Sequence, residues 1–345
     1  MSAPTINMSY VPLGSAGLKV SKIILGCTVY GSPDWFSWVQ GEEESIKQIK
    51  AAYDVGINTF DTANIYSNGQ SEIILGKAIM QEGLPRDGIV VMTKVFHPVT
   101  HMDERIHGRA SALADSKGYV NQYGLSRKHI FDSVKKSLDR LQLDYIDVLL
   151  CHEFDPDTPI HETMHALHDV VAAGYVRYIG ISTCRAWQFR VMQDYALNNY
   201  LTPFITVETD YNLLYREDEN ELFPTLKYLG ISSVPWSTLA RGAVVRPLNR
   251  EQSQLADSQN VENVEGQQWH DAIILRVEEI ATRKNVTMTQ VAVAWSMSRE
   301  GVCALVINAS TTDRLMDAVG GLDVALTPDE IRYLEEPYNT QKLHF

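Results

Sequence analysis

Four polar residues of this chain each stand at or just beyond the end of a short apolar run. Asp61 and Tyr66 lie in Phe60-Asp61-Thr62-Ala63-Asn64-Ile65-Tyr66, Lys94 closes Ile89-Val90-Val91-Met92-Thr93, and His152 follows Val148-Leu149-Leu150-Cys151. Together these residue types can do acid chemistry on a carbonyl. A tyrosine delivers a proton if a cation makes its phenolate less costly, a lysine is that cation if a carboxylate holds it, and a histidine can orient the oxygen being protonated. A lysine at the end of an apolar run is expensive to bury without a carboxylate partner, so Asp61 and Lys94 are expected to pair. The competing reading is a structural ion pair with a tyrosine and a satisfied core histidine nearby. What favours chemistry is the strand-end position that all four share.

For these groups to meet, the runs that carry them must lie side by side. Short β-rich apolar runs recur at residues 22–26, 59–61, 89–94, 146–151, 178–181, 204–208, 231–236 and 304–307. Helical patterns intervene at 42–53, 128–141, 162–172 and 271–281. Ile46, Ile49 and Tyr53 share a face of the first. The second follows a capping Ser126 and repeats Ile130, Val134, Leu138 and Leu141. The third carries Met164, Leu167 and Val171, and the fourth Ile274, Val277 and Ile280. Runs that are apolar throughout, rather than alternating, imply burial on both faces. Eight strand–helix units predict a (β/α)8 TIM barrel, one domain spanning the chain, with its chemistry at the C-terminal strand ends. The alternative is an open doubly wound sheet, but Gly26-Cys27-Thr28-Val29-Tyr30-Gly31 lacks the GxGxxG spacing expected after its first strand.

Two long polar stretches, 97–122 and 240–268, are expected as long loops on the C-terminal face. Extra C-terminal helices are expected at 287–298 and 327–336. Each opens on a capping-box spacing, Thr287 to Gln290 and Thr327 to Glu330, and Val291, Ala294 and Trp295 share an inward face. Trp35, Phe36 and Trp38, just after the first strand, suit an apolar substrate pocket.

The 345 residues carry a formal net charge of −13 and no basic block. Nucleic acid and anionic membrane surfaces are therefore not expected partners. No apolar run approaches the length of a membrane span, and Met1-Ser2-Ala3-Pro4-Thr5 opens no signal peptide. The four cysteines, Cys27, Cys151, Cys184 and Cys303, are scattered without a CxxC pair and read as reduced thiols of a cytoplasmic protein. His161, His165 and His168 have a spacing that can hold zinc. Their helix should lie outside the barrel with its apolar stripe turned inward, so no metal is expected there. His97, His101 and His107 are expected to be solvated or to face a substrate.

Ser237, Leu239 and Gly242, after the seventh strand, could cradle a pyrophosphate through backbone N–H groups. Asn308-Ala309-Ser310-Thr311-Thr312-Asp313-Arg314 follows the eighth; its hydroxyls suit a helix cap, with Arg314 in the first turn. Phosphate sites of barrels often lie after these two strands, although ordinary loop and capping chemistry would use the same residues.

Several stretches resemble the aldo-keto reductase superfamily: Gly56-Ile-Asn-Thr-Phe-Asp-Thr-Ala-Asn-Ile-Tyr66, Ser71-Glu-Ile-Ile-Leu-Gly76, Gly124-Leu-Ser-Arg-Lys-His-Ile130, Phe154-Asp-Pro-Asp-Thr-Pro159 and Tyr211-Asn-Leu-Leu-Tyr-Arg-Glu217. The last three resemble the fungal branch of aryl-alcohol dehydrogenases and versiconal hemiacetal acetate reductases. The resemblance implies a nicotinamide cofactor bound without a Rossmann domain and a small-molecule carbonyl substrate. Asp61, Tyr66, Lys94 and His152 match the catalytic tetrad, with Tyr66 as proton donor. Tyr211 matches the aromatic that stacks on nicotinamide. Arg314 matches a position that often meets the adenosine 2′-phosphate, which favours NADPH. Ser182, Thr183 and Glu208 complete the implied cofactor-binding set.

The chain also departs from the pattern. Glu208-Thr209 stands where relatives commonly have glutamine and asparagine, Thr183 where many have asparagine, Asn308 where many have glycine, and Glu153 where close relatives tend to have arginine. An ionised Glu208 would offer only acceptors to a carboxamide that needs a donor as well. The acid machinery is thus kept while the cofactor cradle is altered. Carbonyl reduction is the first reading. A barrel using Tyr66, Lys94 and His152 for cofactor-independent proton transfer, and a nucleotide-sensing binding protein, stay open beside it. Oligomeric state is not legible.

Overall fold

The structure is a computed structural model that describes residues 8–100, 111–248 and 267–338. Each of the eight apolar runs forms a strand: β3 (Ile23–Gly26), β4 (Thr59–Asp61), β5 (Val90–Val95), β6 (Ile146–Cys151), β7 (Val176–Ser182), β8 (Phe204–Asp210), β9 (Ser232–Trp236) and β10 (Leu305–Ile307). All neighbours pair in parallel, in the order β10-β3-β4-β5-β6-β7-β8-β9. A bridge between Ser233 and Val302 draws β9 toward the segment entering β10 and nearly closes the ring. This is the (β/α)8 barrel.

Two apolar layers hold it. Ile24, Met92, Val148, Leu150, Val234 and Val306 fill the inside. A larger layer lies between the strands and the surrounding helices, where Ile49, Ile130, Val134, Leu167, Ile274 and Val277 are buried. The helices follow their periodicity. Ser126 caps Arg127–Leu141 by accepting from the His129 N–H, and both capping boxes form, at Met288–Met297 and Pro328–Glu335. On Ile160–Ala172 the fully buried valine is Val170, whereas Val171 only packs against the edge of the layer.

A hairpin, β1 (Tyr10–Pro12) and β2 (Lys19–Ser21), was not visible in the sequence. Each of its strands spans three residues, too short to show an alternating pattern. Its tip puts Leu13 and Val20 into the inner apolar cluster, so the hairpin plugs the barrel below the strand ends that carry polar groups. Gly14 sits at φ +60°, and a Cβ there would lie 1.9 Å from the Ile205 carbonyl oxygen. Both the backbone angle and the contact require glycine. Gly14→Ala is expected to destabilise the protein by at least about 2 kcal/mol; urea unfolding of the two forms measures it.

Candidate active site

β4 ends on Asp61, and β5 brings Lys94 to the same level. The Lys94 ammonium donates to both Asp61 carboxylate oxygens, at 2.5 and 2.6 Å, and to the Thr62 carbonyl at 3.1 Å. A second carboxyl group joins it from β8: Glu208 Oε2 lies 3.3 Å from Nζ. All three side chains are nearly sealed from solvent, at 2%, 2% and 1% exposure. Burial alone would push the Lys94 ammonium down, but its carboxyl neighbours, the charge of Asp61 foremost, outweigh it and hold the proton well above its ordinary range. Burial pushes both carboxyl groups up. Asp61 has the closer hold on Lys94 and is the one that stays ionised. Glu208 is pushed up to about 8 by burial and then by the charge of Asp61. At neutral pH Glu208 is therefore a carboxylic acid. Protonated, it can donate as well as accept, unlike the ionised form with acceptors only.

Tyr66 stands beside this cluster, with the Lys94 ammonium 5.5 Å from its ring centre. Burial raises its phenol, the charge of Lys94 lowers it, Asp61 raises it, and a hydrogen bond with the Thr28 hydroxyl lowers it. The balance keeps the proton on the phenol. His152 meets the Tyr66 ring edge-to-face, with centres 5.9 Å apart. Burial drives the His152 imidazole well below its ordinary range, helped by His97 and the charge of Lys94, so the ring is neutral. A neutral imidazole carries one N–H donor, as orientation of a carbonyl oxygen requires. The structure thus brings the four expected residues to one barrel mouth.

Tyr66 does not continue its strand; a tight turn carries it. Ser67, Asn68 and Gly69 follow with φ of 47°, 51° and 88°, a left-handed run that non-glycine residues rarely adopt. Side chains anchor this turn on every side. Ser71 donates to the Cys27 carbonyl at 2.7 Å and contacts the Thr62 hydroxyl at 2.8 Å. Asn68 accepts from the backbone and side chain of Thr100. Glu72, fully buried in the next helix (Gln70–Gln81), receives the Thr93 hydroxyl at 2.6 Å and the Arg140 guanidinium at 2.6 Å. Sequence reasoning missed this anchor, although Glu72 lay within Ser71-Glu-Ile-Ile-Leu-Gly76.

The implied cofactor-binding residues divide. Ser182 is the ladder partner of Glu208. Thr183, at φ 46°, donates its N–H to the Glu208 carbonyl at 3.0 Å. After β9, Ser237, Ala240, Arg241 and Gly242 all have positive φ. The chain curls there, with Ala240 N–H donating to the Ser237 carbonyl and Gly242 N–H to that of Leu239. Thr311 caps the helix Thr312–Gly320 by accepting from the Arg314 N–H, and the Arg314 side chain is exposed and donates to Ser310 at 2.5 Å. Tyr211 is the exception. Its ring is fully buried outside the barrel, stacked on Trp295 and tilted against Phe223, and its hydroxyl donates to Glu219 at 2.5 Å. It has no open face for a nicotinamide. The aromatic that ends β9 is Trp236, whose buried indole N–H has no hydrogen-bond partner among the described residues.

Glu208 Oε1, His152 Nδ1 and the Trp236 N–H are buried polar atoms left unsatisfied at strand ends. Buried polar atoms normally have a partner, and a water or a ligand would complete these. With the curled Ser237–Gly242 segment and Arg314, they fit a group with an amide at one end and phosphates at the other.

Other expected features lie elsewhere. His97 is buried, 7% exposed, its ring centre 4.9 Å from that of His152, and its Nε2 is 3.4 Å from Glu153. It is not a solvated loop residue; His101 and His107 lie outside the described residues. His165 Nε2 meets the Tyr195 hydroxyl at 3.3 Å, and His168 Nδ1 accepts from the Thr202 N–H at 3.1 Å. Asn308 folds over Gly26, whose missing Cβ would lie 2.3 Å from Asn308 Oδ1. Phe36 and Trp38 stack at 5.2 Å, with Trp35 edge-on to Phe36.

Comparison with known proteins agrees with this geometry. A model of the aldo/keto reductase family matches residues 22–339. A versiconal hemiacetal acetate reductase of Aspergillus parasiticus is 44% identical over 98% of this chain and 99% of its own. The chain belongs to the aldo/keto reductase family. A protein provisionally named as an aryl-alcohol dehydrogenase in Schizosaccharomyces pombe is 44% identical over 95% of both chains. An aldo-keto reductase of Fusarium vanettenii is 42% identical over 96% of this chain and 91% of that one. Members of the family are NAD(P)H-dependent oxidoreductases that act on small carbonyl compounds, and this chain is one of them.

The Glu72–Arg140 pair gives a test of how this aldo/keto reductase holds its tyrosine turn. Arg140→Met leaves Glu72 buried without its cation and should cost about 3–5 kcal/mol. Glu72→Gln in the same chain should recover most of that loss. Denaturant unfolding of the single and double variants checks it.

Proposed function

We propose that this protein reduces an aldehyde or ketone to the alcohol with NADPH, Tyr66 giving the proton. The observation that supports it most is the Asp61–Lys94 ion pair beside a protonated Tyr66 and a neutral His152, all at the mouth of one barrel. A nicotinamide cofactor bound there would supply hydride to the carbonyl carbon. The chain's own groups would supply the rest. The His152 N–H would orient the carbonyl oxygen. The phenol of Tyr66 would pass its proton to that oxygen as negative charge develops, and the Lys94 ammonium would stabilise the phenolate left behind. Asp61 would keep Lys94 charged and aimed.

Ser182, Thr183, Glu208 and Trp236 would line the nicotinamide end. Ser237, Leu239 and Gly242 would meet the pyrophosphate, and Arg314 a 2′-phosphate. The aromatic cluster of Trp35, Phe36 and Trp38 favours an apolar carbonyl, aromatic or polyketide-derived, and the similar Aspergillus protein is a versiconal hemiacetal acetate reductase. The barrel would be the chain's one domain. Four unpaired cysteines suit a reducing compartment such as the cytoplasm.

Titration of the purified protein with NADPH and NADH, read by fluorescence, tests the cofactor. Tight NADPH binding is expected; no binding of either would turn the reading to proton-transfer chemistry without a cofactor. Arg314→Ala should weaken NADPH by roughly tenfold, the worth of a charge-assisted hydrogen bond, and leave NADH nearly unchanged. Tyr66→Phe removes a proton donor and little surface. It should lower kcat for an aromatic aldehyde by about 10² to 10⁴ while NADPH affinity, read by the same titration, stays within about threefold.

A further inference from the structure

We propose that Glu208 is a positioning residue of the proton-donating network: as a neutral acid against Lys94 it leaves the positive charge of the ammonium to act on Tyr66, and losing its proton shuts reduction down. The inference rests on the reading of Tyr66 as proton donor and adds to it a group with no part in holding the tyrosine.

The geometry carries it. Two carboxyl groups, Asp61 and Glu208, contact one ammonium in a pocket where no side chain exceeds 3% exposure. Below them the barrel is filled by Met92, Leu150, Val234 and Val306. With Glu208 protonated the three groups sum to zero charge. With Glu208 ionised they sum to −1, uncompensated and buried, which is costly. Its proton is therefore retained well into the alkaline range, to a value of about 8.

Among the described residues, no cation other than Lys94 is in contact with Glu208. Asp61 and Lys94 act on Glu208 directly. Cys27 and Tyr66, both raised, and His152, lowered, are the other titratable groups at this level, and none carries charge at neutral pH. The ladder neighbours Ser182 and Val234 do not titrate. Asp210, further along the strand, has Arg241 at 4.0 Å.

The consequence falls on Tyr66. A charge on Glu208 raises the phenol further, as does that of Asp61, against the lowering effect of Lys94. Releasing the Glu208 proton to solvent therefore opposes formation of the phenolate that reduction leaves behind. A glutamine would hold a carboxamide in this place but would not titrate, so the glutamate gives this chain an alkaline limit that an amide would not.

The test is kcat/KM for an aromatic aldehyde at saturating NADPH, from pH 6 to 9.5, in the wild type and in Glu208→Gln, each scaled to its own acid plateau. The wild type should lose about tenfold by pH 9, the fall expected for a required acid titrating near 8. Glu208→Gln should stay within about twofold over the same range. An alkaline limb of equal position in both proteins, or none in the wild type, overturns the proposal. Saturating cofactor separates this effect from mere weakening of cofactor binding.

An infrared readout needs no turnover. At pH 7 the wild-type-minus-Glu208→Gln difference spectrum should show a protonated-carboxyl band that vanishes by pH 9. The partly protonated Asp210 and Asp218 cancel in that difference. Asp61→Asn, which leaves one carboxylate for one ammonium, should lack the band at pH 7. Absence of the band in the wild type sinks the idea even if the protein reduces carbonyls. Its presence with no carbonyl reduced would sink the Tyr66 reading and leave the titration standing. If Glu208→Gln does not fold, the pH dependence of the band in the wild type against Asp61→Asn decides.

Discussion

The site depends on one physical constraint, a lysine ammonium buried where water cannot reach it. An isolated charge in such a place would cost several kcal/mol and would lose its proton instead. Lys94 keeps its proton because Asp61 grips it with both oxygens and Thr62 takes the third donor. That requirement fixes which strand ends are polar. β4, β5 and β8 end in groups that serve the ammonium, while the same strands lower down, with the hairpin plug, stay apolar. The polar layer therefore sits at the C-terminal strand ends.

One strand serves both faces of the problem. Successive residues of a β-strand point to opposite sides. On β5, Lys94 turns into the barrel toward Asp61, while Thr93 turns outward and donates to Glu72. Glu72 belongs to the helix that follows the Tyr66 turn, and Arg140 from a neighbouring helix holds it in place. The cation that tunes the phenol and the contact that anchors the turn carrying it are thus adjacent residues. A left-handed turn of three residues is tolerated at Ser67–Gly69 because its surroundings over-determine it. The position of the phenol relative to the cation is set by two ion pairs, the buried Asp61–Lys94 and the half-buried Glu72–Arg140.

How much of this was legible follows from what each residue depends on. Asp61, Lys94 and His152 could be read because each depends on its own strand, and apolar runs reveal strands well. Two of the eight strands, β4 and β6, match the expected bounds to the residue. Tyr211 misled because the family pattern was followed without the alternation of its strand. Glu208 faces the interior, so Thr209 and Tyr211 must start outward, and Tyr211 joins the outer apolar layer with Val207. Counting from Glu208 would have shown it. Glu72 and Arg140, by contrast, are 68 residues apart, and only the fold brings them together. The protonation of Glu208 has the same character, because it follows from where Asp61 lies rather than from the residue itself.

The protonation states at the mouth follow from a single cause acting on groups of opposite type. Burial strips the proton from a base and returns it to an acid. His152 is neutral for the first reason and Glu208 for the second. Within the buried cluster around Lys94, the charges left at neutral pH are those of Asp61 and Lys94, which cancel at short range but not in direction. What faces the substrate is a dipole with its positive end toward Tyr66, flanked by neutral donors. A neutral carbonyl can enter such a place without meeting a net charge. The oxygen that turns negative during reduction would then find an oriented cation and a phenol already in position. A pocket with an ionised Glu208 would carry a net negative charge, which is why the neutrality of that one side chain matters to the phenol of Tyr66.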